Sequence, residues 1–370
     1  MTDSDITVME REQQRITTEP TKTSGVSIVL VGYNSQHYLN TCLSSLRLQT
    51  YANYEVILVD NQSKDDTVEY VQANFPEVRV ISSGANLGFS GGNNLGATHA
   101  TKDYLAFLNV DTKVEPNWLD ALIQTLEQKP QVGLVTAKIL LMSEPNIINT
   151  CGNDVHFTGY GYLRGWKADR STKPENEAVF SVSGACFVMR KSLFDQLKGF
   201  DADFFPAYVE ETDLSWRARL AGYTCEFVQE SVIYHDYELS FSPLKFYSLE
   251  RNRYQMLIKN LRWRTLFMLL PAFILSEIVS WAYAMLNGLD HLRAKLRSYW
   301  WFLPNWRNLM RKRRIIQQLR QVPDRDILLH CVHRLAFGQA DEGLAGKIGA
   351  TVFNPMFYWL KQVYRFTIWW

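Results

Sequence analysis

The chain has 370 residues, enough for two domains, and its content of 46% apolar and 21% charged residues is that of an ordinary globular protein. The net charge of +1 conceals an asymmetry, because residues 1–240 hold 19 basic and 31 acidic side chains whereas residues 241–370 hold 20 and 7. This division predicts two regions with different partners. Five scattered cysteines without a CxxC spacing exclude a disulfide framework and a cysteine zinc site, so we expect reduced thiols in a cytosolic setting.

The first half of the chain alternates between two kinds of pattern. Residues 1–24 are polar and lack an apolar segment, which predicts a disordered tail without a signal peptide. Short runs rich in Val, Ile and Leu at residues 26–31, 56–59 and 104–108 are typical of strands buried on both faces of a parallel sheet. Other predicted elements are a helix at 38–48, a helix beginning near 65–67, a strand at 78–81, a helix at 116–127, a strand at 181–189 and a helix at 213–221. We therefore predict an α/β domain over residues 25–240 with a mostly parallel sheet.

Polar residues follow each of the three apolar runs. They are Gly32-Tyr33-Asn34, Asp60-Asn61 and Asn109-Val110-Asp111. Each group alone is also typical of a turn. In open α/β sheets, however, ligands bind beyond the carboxyl ends of the strands, so three such groups together predict a ligand site.

A glycine-rich segment, NLGFSGGNNLG at residues 86–96, lies between the second and third groups. We interpret it as a loop and the start of a small-residue helix, where glycines allow close approach to a ligand and backbone amides suit an anion. It lacks the spacing of a Walker loop and of a dinucleotide fingerprint.

The acidic segment Glu210-Glu211-Thr212-Asp213 is the second half of the predicted site. Asp213 and Arg217 have i,i+4 spacing, which favours a structural ion pair. Glu210 and Glu211 have no such partner, and crowded acids tend to have raised pKa values that suit a general base. His235 is a further candidate because it follows a short apolar segment downstream of these acids, although a lone histidine is more often structural.

From Ser242 onward the pattern is helical and basic, so we place a boundary near residue 240. Residues 265–286 are nearly long enough to span a bilayer, but Pro271 and Glu277 argue against a span. Interfacial or re-entrant helices, a true span over residues 266–285 and a soluble core helix remain open. Eight of the eleven tryptophans follow residue 262, and a basic run occupies residues 311–314. This mixture predicts an anionic membrane surface as a partner, in preference to nucleic acid.

A resemblance to a known protein family rests on six segments, which occur in the order VSIVLVGYN, EVILVDNQSKDDT, NLGFSGGNNLG, AFLNVDTKVEPNWL, SGACFVMRK and FFPAYVEETDLSWRARLAGY. Between Val26 and His235 the chain resembles family 2 glycosyltransferases with the GT-A fold, especially bacterial rhamnosyltransferase-like members. The resemblance implies the nucleotide-diphospho-sugar transferase fold, a mostly parallel sheet sandwiched by helices, with a helical membrane-associated region over residues 241–370.

The resemblance also implies roles for individual residues. The positions that would bind the donor are Tyr33, Asn34 and Asp60 for the base and ribose, Asn86, Gly88 and Gly92 against the nucleotide and diphosphate, Asn109 and Asp111 at the DxD position, and Gly184 and Ala185 in the sugar and acceptor pocket. Asp111 would be the main ligand of a divalent cation, Mg²⁺ or Mn²⁺, and His235 would complete the metal site. Glu211 stands where the family has its base, with Glu210 and Asp213 as the other catalytic candidates.

The implied function is an inverting, metal-dependent transfer of a sugar from a nucleotide-diphosphate donor, with a leaning to dTDP-rhamnose. The acceptor would be a glycan or lipid-linked molecule of bacterial surface polysaccharide synthesis, at the cytoplasmic face of the plasma membrane. A nucleotidyltransferase is an alternative, but it would need a glycine-rich loop with Lys or Arg after the first strand, which GYNSQHY lacks. A non-catalytic membrane-bound scaffold is a second alternative, against which Asp111, Glu211 and His235 argue.

Overall fold

A mixed ten-stranded sheet forms the centre of the computed structural model, which describes residues 24–174 and 177–370. Residues 1–23 of the predicted tail therefore lie outside the described residues. Two further short strands, β8 and β9, pair with each other. The strands are β1 Val26–Gly32, β2 Tyr54–Asp60, β3 Arg79–Ser82, β4 Tyr104–Leu108, β5 Thr112–Val114, β6 Val132–Leu141, β7 Ile148–Thr150, β8 Asn153–Val155, β9 Gly161–Leu163, β10 Ala178–Val179, β11 Cys186–Arg190 and β12 Thr224–His235.

The strand order is β10-β12-β6-β11-β4-β1-β2-β3, with β5 paired to β12 and β7 to β6. Strands β3, β2, β1 and β4 lie side by side and run parallel to one another, and β12 runs parallel to β6. Strand β11 lies between β4 and β6 and runs antiparallel to both. Three register matches determine the site. Gly32 lies beside Asp60, Cys186 lies beside Leu108, and His235 lies beside Thr112.

Helices cover both faces of the sheet. In β1, Ile28 and Leu30 belong to one buried apolar cluster and Val29 to another, as expected for a strand buried on both sides. The helices of this part are α1 Gln36–Arg47, α2 Thr67–Asn74, α3 Gly88–His99, α4 Trp118–Gln128, α5 Lys191–Gln196 and α6 Glu210–Leu220. The predicted α/β class with a mostly parallel sheet is confirmed.

Several predicted boundaries are wrong for local reasons. The segment 86–96 is helical from Gly88 onward, because its small residues allow α3 to pack closely on the sheet. The strand predicted at 181–189 begins only at Cys186, since the Cys186 N–H donates to Ser183 O in a turn. Helix α6 begins three residues earlier than predicted. The long strands β6 and β12 were largely missed, and β12 has bulges that interrupt its apolar alternation. All five cysteines are free and buried in the structure.

The C-terminal region is helical, as predicted. Its helices are α7 Pro243–Asn260, α8 Trp263–Met268, α9 Leu270–Leu286, α10 Leu289–Trp300, α11 Phe302–Gln318, α12 Asp324–His330, α13 Phe337–Ala340 and α14 Leu344–Thr367. The apolar segment 265–286 is divided between α8 and α9 next to Pro271. Among the described residues, no helix combines the length and apolarity that a membrane crossing requires.

A third apolar cluster joins these helices to the α/β part. Trp216 and Leu220 of α6 pack there with Met256 and Leu257 of α7 and with Phe357 of α14. Helix α7 therefore forms part of the support of α6.

Glu277, whose charge disfavours a membrane span, lies in a charged cluster between α7, α9 and α10. Its carboxylate pairs with Arg253 at 3.1 Å and with Lys295 at 3.0 Å, and Glu250 pairs with the same two cations. Such pairing offsets the cost of burying charge. Glu277 therefore joins three helices of the C-terminal region.

Candidate active site

A cavity of about 250 Å³ opens at the carboxyl ends of β1, β2 and β4. Its wall includes the predicted residues Tyr33, Asn86, Gly88 and Asn109. The remaining lining residues are Val31, Asn61, Phe89, Asn93, Leu108, Pro206 and Ala207. The strand-end groups that the sequence singled out thus lie on one edge of the sheet.

Asn34 and Asp60 support this cavity from outside its wall. Asn34 Oδ1 accepts a hydrogen bond from the Lys64 N–H at 2.8 Å, and Asp60 Oδ1 accepts one from the Ser63 N–H at 3.1 Å. Asp60 is buried, and its neighbour Asn61 contributes to the cavity wall instead. The structure therefore gives Asn34 and Asp60 a part in fixing the loop after β2.

Asn61 holds the segment that enters α3. Its Nδ2 donates to Asn86 Oδ1 at 3.1 Å and to Gly88 O at 3.3 Å, and its Oδ1 accepts from the Leu87 N–H at 2.8 Å. The sequence pointed to this position through the pair Asp60-Asn61, but only the structure distinguishes the roles of the two side chains.

The two glycines assigned to donor binding have different surroundings. Gly88 lines the cavity with a left-handed φ of 66°, and a Cβ there would lie 2.5 Å from Pro206 O. Gly92 lies within α3, where a Cβ would lie 2.7 Å from Val31 Cγ1. Gly92 thus lets the helix pack closely on β1, and any effect on the donor would be indirect.

Asp111 and His235, the predicted metal ligands, lie together. His235 Nε2 is 3.3 Å from Asp111 Oδ1. On its other side, His235 Nδ1 is 3.2 Å from Asn149 Oδ1. An imidazole that carries its proton on Nδ1, facing the Asn149 amide oxygen, would have Nε2 free to bind a metal beside Asp111. Sequence reasoning missed Asn149, which lies in a short strand without a diagnostic pattern.

These residues fit a divalent cation. Asp111 Oδ1 is buried and has no hydrogen-bond partner within residues 24–174 and 177–370. Two ligand atoms in adjacent positions around an octahedral Mg²⁺ are about 3 Å apart, similar to the observed Nε2–Oδ1 separation. The described residues contain no group of three or more His, Cys, Asp or Glu side chains that could hold a metal. A cation here would therefore take its other ligands from a substrate diphosphate and water, as Mg²⁺ often does.

Glu211 lies at the start of α6, opposite Gly184. A Cβ on Gly184 would be 3.4 Å from Glu211 Oε2, and Ala185 O accepts a hydrogen bond from the Asn109 N–H of the cavity wall at 2.9 Å. Asn153 Nδ2 donates to Glu211 Oε1 at 3.3 Å. Burial raises the pKa of Glu211, and its hydrogen bonds limit the rise. This combination suits a general base near neutral pH.

Glu210 and Asp213 have less access to a substrate. Glu210 is 2% exposed, and burial together with the charge of Glu211 raises its pKa well above the usual range. Asp213 is 0% exposed and accepts from Arg217 Nε at 2.8 Å, which is the ion pair that the i,i+4 spacing predicted. Lys259 Nζ lies 3.3 Å from its other oxygen. Of the three carboxylates, Glu211 is thus the most accessible to a substrate.

The loop before Glu210 is held by a residue that sequence reasoning missed. Tyr208 and Val209 have left-handed φ values of 85° and 77°, which are unfavourable for such side chains. Asn252 of α7 donates through Nδ2 to Tyr208 O at 2.8 Å, and also to Ala207 O and Phe204 O at 3.3 and 3.2 Å. Asn252 therefore fixes the direction in which α6 begins.

Comparisons with known proteins concern the family and the fold of this chain. Residues 27–198 match the model of the family described as Glycosyl transferase family 2. The chain is also similar to the N-acetylglucosaminyl-diphospho-decaprenol L-rhamnosyltransferase of Mycobacterium tuberculosis strain H37Rv, with 27% identity over 236 residues that cover 58% of this chain and 76% of the relative.

Two solved structures share the fold. The crystal structure of S. aureus TarS 1–349 in complex with UDP aligns over 93% of this chain and 92% of that chain, with a TM-score of 0.52 and 15% identity. The crystal structure of GalNAc-T7 with UDP, GalNAc and Mn²⁺ aligns over 64% of this chain and 48% of that chain, with a TM-score of 0.53 and 18% identity. At these identities the likeness concerns the fold, and the GT-A fold class predicted from the sequence is confirmed.

Proposed function

We propose that the chain is an inverting, metal-dependent glycosyltransferase that uses a nucleotide-diphosphate sugar. The match of residues 27–198 to glycosyl transferase family 2 and the GT-A fold support this proposal. The acceptor is a lipid-linked or glycan molecule of a bacterial surface polysaccharide. The proposal rests on the pair Asp111 and His235, in which a buried carboxylate oxygen has no hydrogen-bond partner among the described residues. It is supported by the cavity that Asn109 lines and by Glu211 at the start of α6, opposite Gly184.

The relative in M. tuberculosis guides the choice of substrates. Its name specifies an L-rhamnosyl donor group and an acceptor in which a sugar is joined to decaprenol through a diphosphate. By this similarity we propose dTDP-rhamnose as the first donor to test and a sugar diphospholipid as the first acceptor. The cavity wall supplies Tyr33 for contact with a base and amides from Asn61, Asn86 and Asn93 for ribose or phosphate oxygens.

The proposed reaction is a single displacement. The Glu211 carboxylate accepts the proton of the acceptor hydroxyl as its oxygen forms a bond to C1 of the sugar. The bond from C1 to the diphosphate oxygen breaks, the nucleotide diphosphate leaves, and the configuration at C1 inverts. Asn153 orients Glu211 by donating to Oε1. A divalent cation held by Asp111 and His235 would supply positive charge to the leaving diphosphate.

Association with a membrane is part of the proposal. Helices α8 and α9 carry a row of exposed apolar side chains at helical spacing, Trp263, Phe267, Leu270, Ile274 and Ile278. A second such row lies on α14, at Leu344, Ile348, Val352, Met356, Trp359, Val363 and Phe366. All three helices contribute to the third apolar cluster, and Arg264 and Arg365 lie among the exposed apolar residues. Apolar rows with flanking cations suit the interface of an anionic membrane, and we propose its cytoplasmic face.

The decisive experiment is a donor screen followed by a transfer assay. Thermal stabilisation by nucleotide-diphosphate sugars is measured with Mn²⁺ or Mg²⁺ and again with EDTA, and each stabilising donor is incubated with sugar diphospholipids. We expect metal-dependent stabilisation by one donor and transfer with inversion at C1. Stabilisation without donor turnover on any lipid or glycan acceptor would favour the scaffold reading, and release of diphosphate from a nucleoside triphosphate and a sugar phosphate would favour a nucleotidyltransferase.

A further inference from the structure

One lysine near the proposed catalytic residues has no acidic partner among the described residues. Lys245, in the first turn of α7, has its ammonium 5.2 Å from the Tyr208 ring centroid, 5.6 Å from that of Tyr237 and 5.3 Å from that of Phe241. Its backbone N–H donates to Ser242 Oγ at 3.2 Å, which fixes the start of the helix. The side chain is half-buried within this cage of three rings.

Other buried lysines of the same region have different surroundings. Lys259 pairs with Asp201 and Asp213, and Lys295 pairs with Glu250 and Glu277. In the part of the chain that the structure describes, Lys245 has no carboxylate within ion-pair distance. Burial alone lowers the pKa of Lys245, with no acid to oppose the effect. A partly buried cation of this kind is unfavourable unless a ligand supplies the negative charge.

The cage connects Lys245 to the reaction site. The Tyr237 ring stacks on the His235 ring with centroids 5.3 Å apart, so one ring separates the ammonium from the proposed metal ligand. Tyr208 belongs to the loop whose residues Pro206 and Ala207 line the cavity and whose end begins α6. Two of the three rings are thus carried by the segments that position His235 and Glu211.

We propose that Lys245, framed by Tyr208, Tyr237 and Phe241, is the cationic group of an anion subsite that takes one phosphate of a diphosphate ligand. This inference rests on the proposed function, because the diphosphate is that of the nucleotide donor or that of a lipid-linked acceptor. An ammonium offers three donors to phosphate oxygens, and the rings exclude water and keep the side chain near the cavity.

The test uses the full chain with Lys245→Met and Lys245→Arg. Methionine keeps the stem and its contacts with the rings, whereas arginine keeps the charge. Lys102→Met is the matched control, since Lys102 is also half-buried and lies at the other end of the sheet, where Nζ donates to Asn53 Oδ1 at 3.1 Å. Its charge acts on Glu55 and lies away from the proposed catalytic residues. Melting temperatures establish that each variant folds, and we expect no decrease for Lys245→Met because the unpaired charge is removed.

Calorimetric titrations measure the affinity for inorganic pyrophosphate, UDP, dTDP and an N-acetylglucosaminyl diphosphate on a short prenyl chain. We expect Lys245→Met to weaken pyrophosphate binding about tenfold or more, Lys245→Arg to retain most of the affinity, and Lys102→Met to match the wild type. Weaker binding of the nucleotides assigns the subsite to the donor, and weaker binding of the prenyl diphosphate alone assigns it to the acceptor.

The inference is overturned if Lys245→Met binds all four probes as tightly as the wild type, or if the wild type does not bind pyrophosphate. Failure of the proposed function has a different signature. In that case the wild type would bind pyrophosphate in a Lys245-dependent manner and yet transfer no sugar.

Discussion

His235 Nε2 lies 3.3 Å from Asp111 Oδ1 because β12 pairs antiparallel with β5 and places His235 beside Thr112. The pair is therefore assembled by main-chain register at the end of two strands. Asn149, in β7 beside β6, completes the arrangement through the second nitrogen of the histidine ring. Substitutions of these three side chains can change metal binding without removing the hydrogen bonds that hold the strands.

The Asn149–His235 contact predicts a metal-specific defect. Replacing Asn149 by Ala removes the side chain that contacts Nδ1 and orients the His235 ring, so we expect the Mn²⁺ concentration for half-maximal transfer to rise about 10- to 100-fold. The activity at saturating Mn²⁺ should recover most of its wild-type value. Asn117→Ala, which alters an exposed asparagine that donates to Glu230 O, is the control. If the Mn²⁺ titration of Asn149→Ala matched that of the wild type, the result would argue against His235 as a metal ligand.

The position of Glu211 predicts a separation of binding from transfer. Glu211→Gln keeps the shape of the side chain but cannot accept a proton, so we expect donor affinity near the wild-type value and a transfer rate lowered about 10²- to 10⁴-fold. Because burial raises the pKa of Glu211, the wild-type rate should increase with pH over a range above the ordinary value of 4.5. Near-normal transfer by Glu211→Gln would move the role of base to another residue.

The sequence was most informative where local patterns and sheet geometry coincide. The three apolar runs became β1, β2 and β4, and one polar residue after each of them lines the same cavity, namely Tyr33, Asn61 and Asn109. This follows because parallel strands bring their carboxyl ends to one edge. The pair Asp213 and Arg217 was readable for a similar reason, since i,i+4 spacing on a helix determines the contact.

Contacts that depend on tertiary packing could not be predicted from local sequence patterns. Asn149, Asn153 and Asn252 are single asparagines in segments without a motif, and each acts on a residue more than 40 positions away. The cage around Lys245 is similar, because Tyr208 comes from the loop before α6 whereas Tyr237 and Phe241 come from the connection between β12 and α7. Gly92 shows the converse error, in which a glycine suggestive of ligand contact serves the close packing of a helix on a strand.

The raised pKa of Glu210 predicts that stability depends on pH. Burial and the charge of Glu211 favour the protonated form in the folded chain, so this contribution is fully present below the ordinary value of 4.5. It is lost as the pH rises through the raised pKa. Glu210→Gln remains neutral at every pH. We therefore expect the melting temperature of the variant to rise relative to that of the wild type as the pH is raised from 5 to 8. The change should be about 2–4 °C for each kcal/mol of unfolding free energy that the wild type loses. A constant difference across this range would contradict the prediction.

Asn252 predicts a defect in transfer that exceeds the defect in stability. Asn252→Ala leaves three loop carbonyls without their donor, and we expect a destabilisation of about 1–3 kcal/mol. Because the loop sets the direction of α6, the turnover number should fall at least tenfold while the donor dissociation constant changes little. Thr265→Val is the control for stability, since it removes a buried hydroxyl that donates to Asp324 away from this loop. Equal activity in the two variants at equal stability would show that Asn252 only supports the fold.

The exposed apolar row on α8 and α9 predicts binding to an anionic membrane. Phe267 and Ile274 are 71% and 60% exposed, so replacing both by Asp should leave the melting temperature nearly unchanged. Removing two large apolar side chains and adding two negative charges should weaken binding to vesicles that contain anionic lipid by about tenfold or more. The control is Leu48→Asp, at a residue that is 68% exposed on the α/β part.

Co-sedimentation with vesicles of zwitterionic lipid and of mixed anionic lipid measures both contributions, because the apolar row acts on either surface whereas Arg264 and Arg365 act only on the charged one. If the double variant and Leu48→Asp bind both kinds of vesicle like the wild type, α8 and α9 do not form the membrane contact.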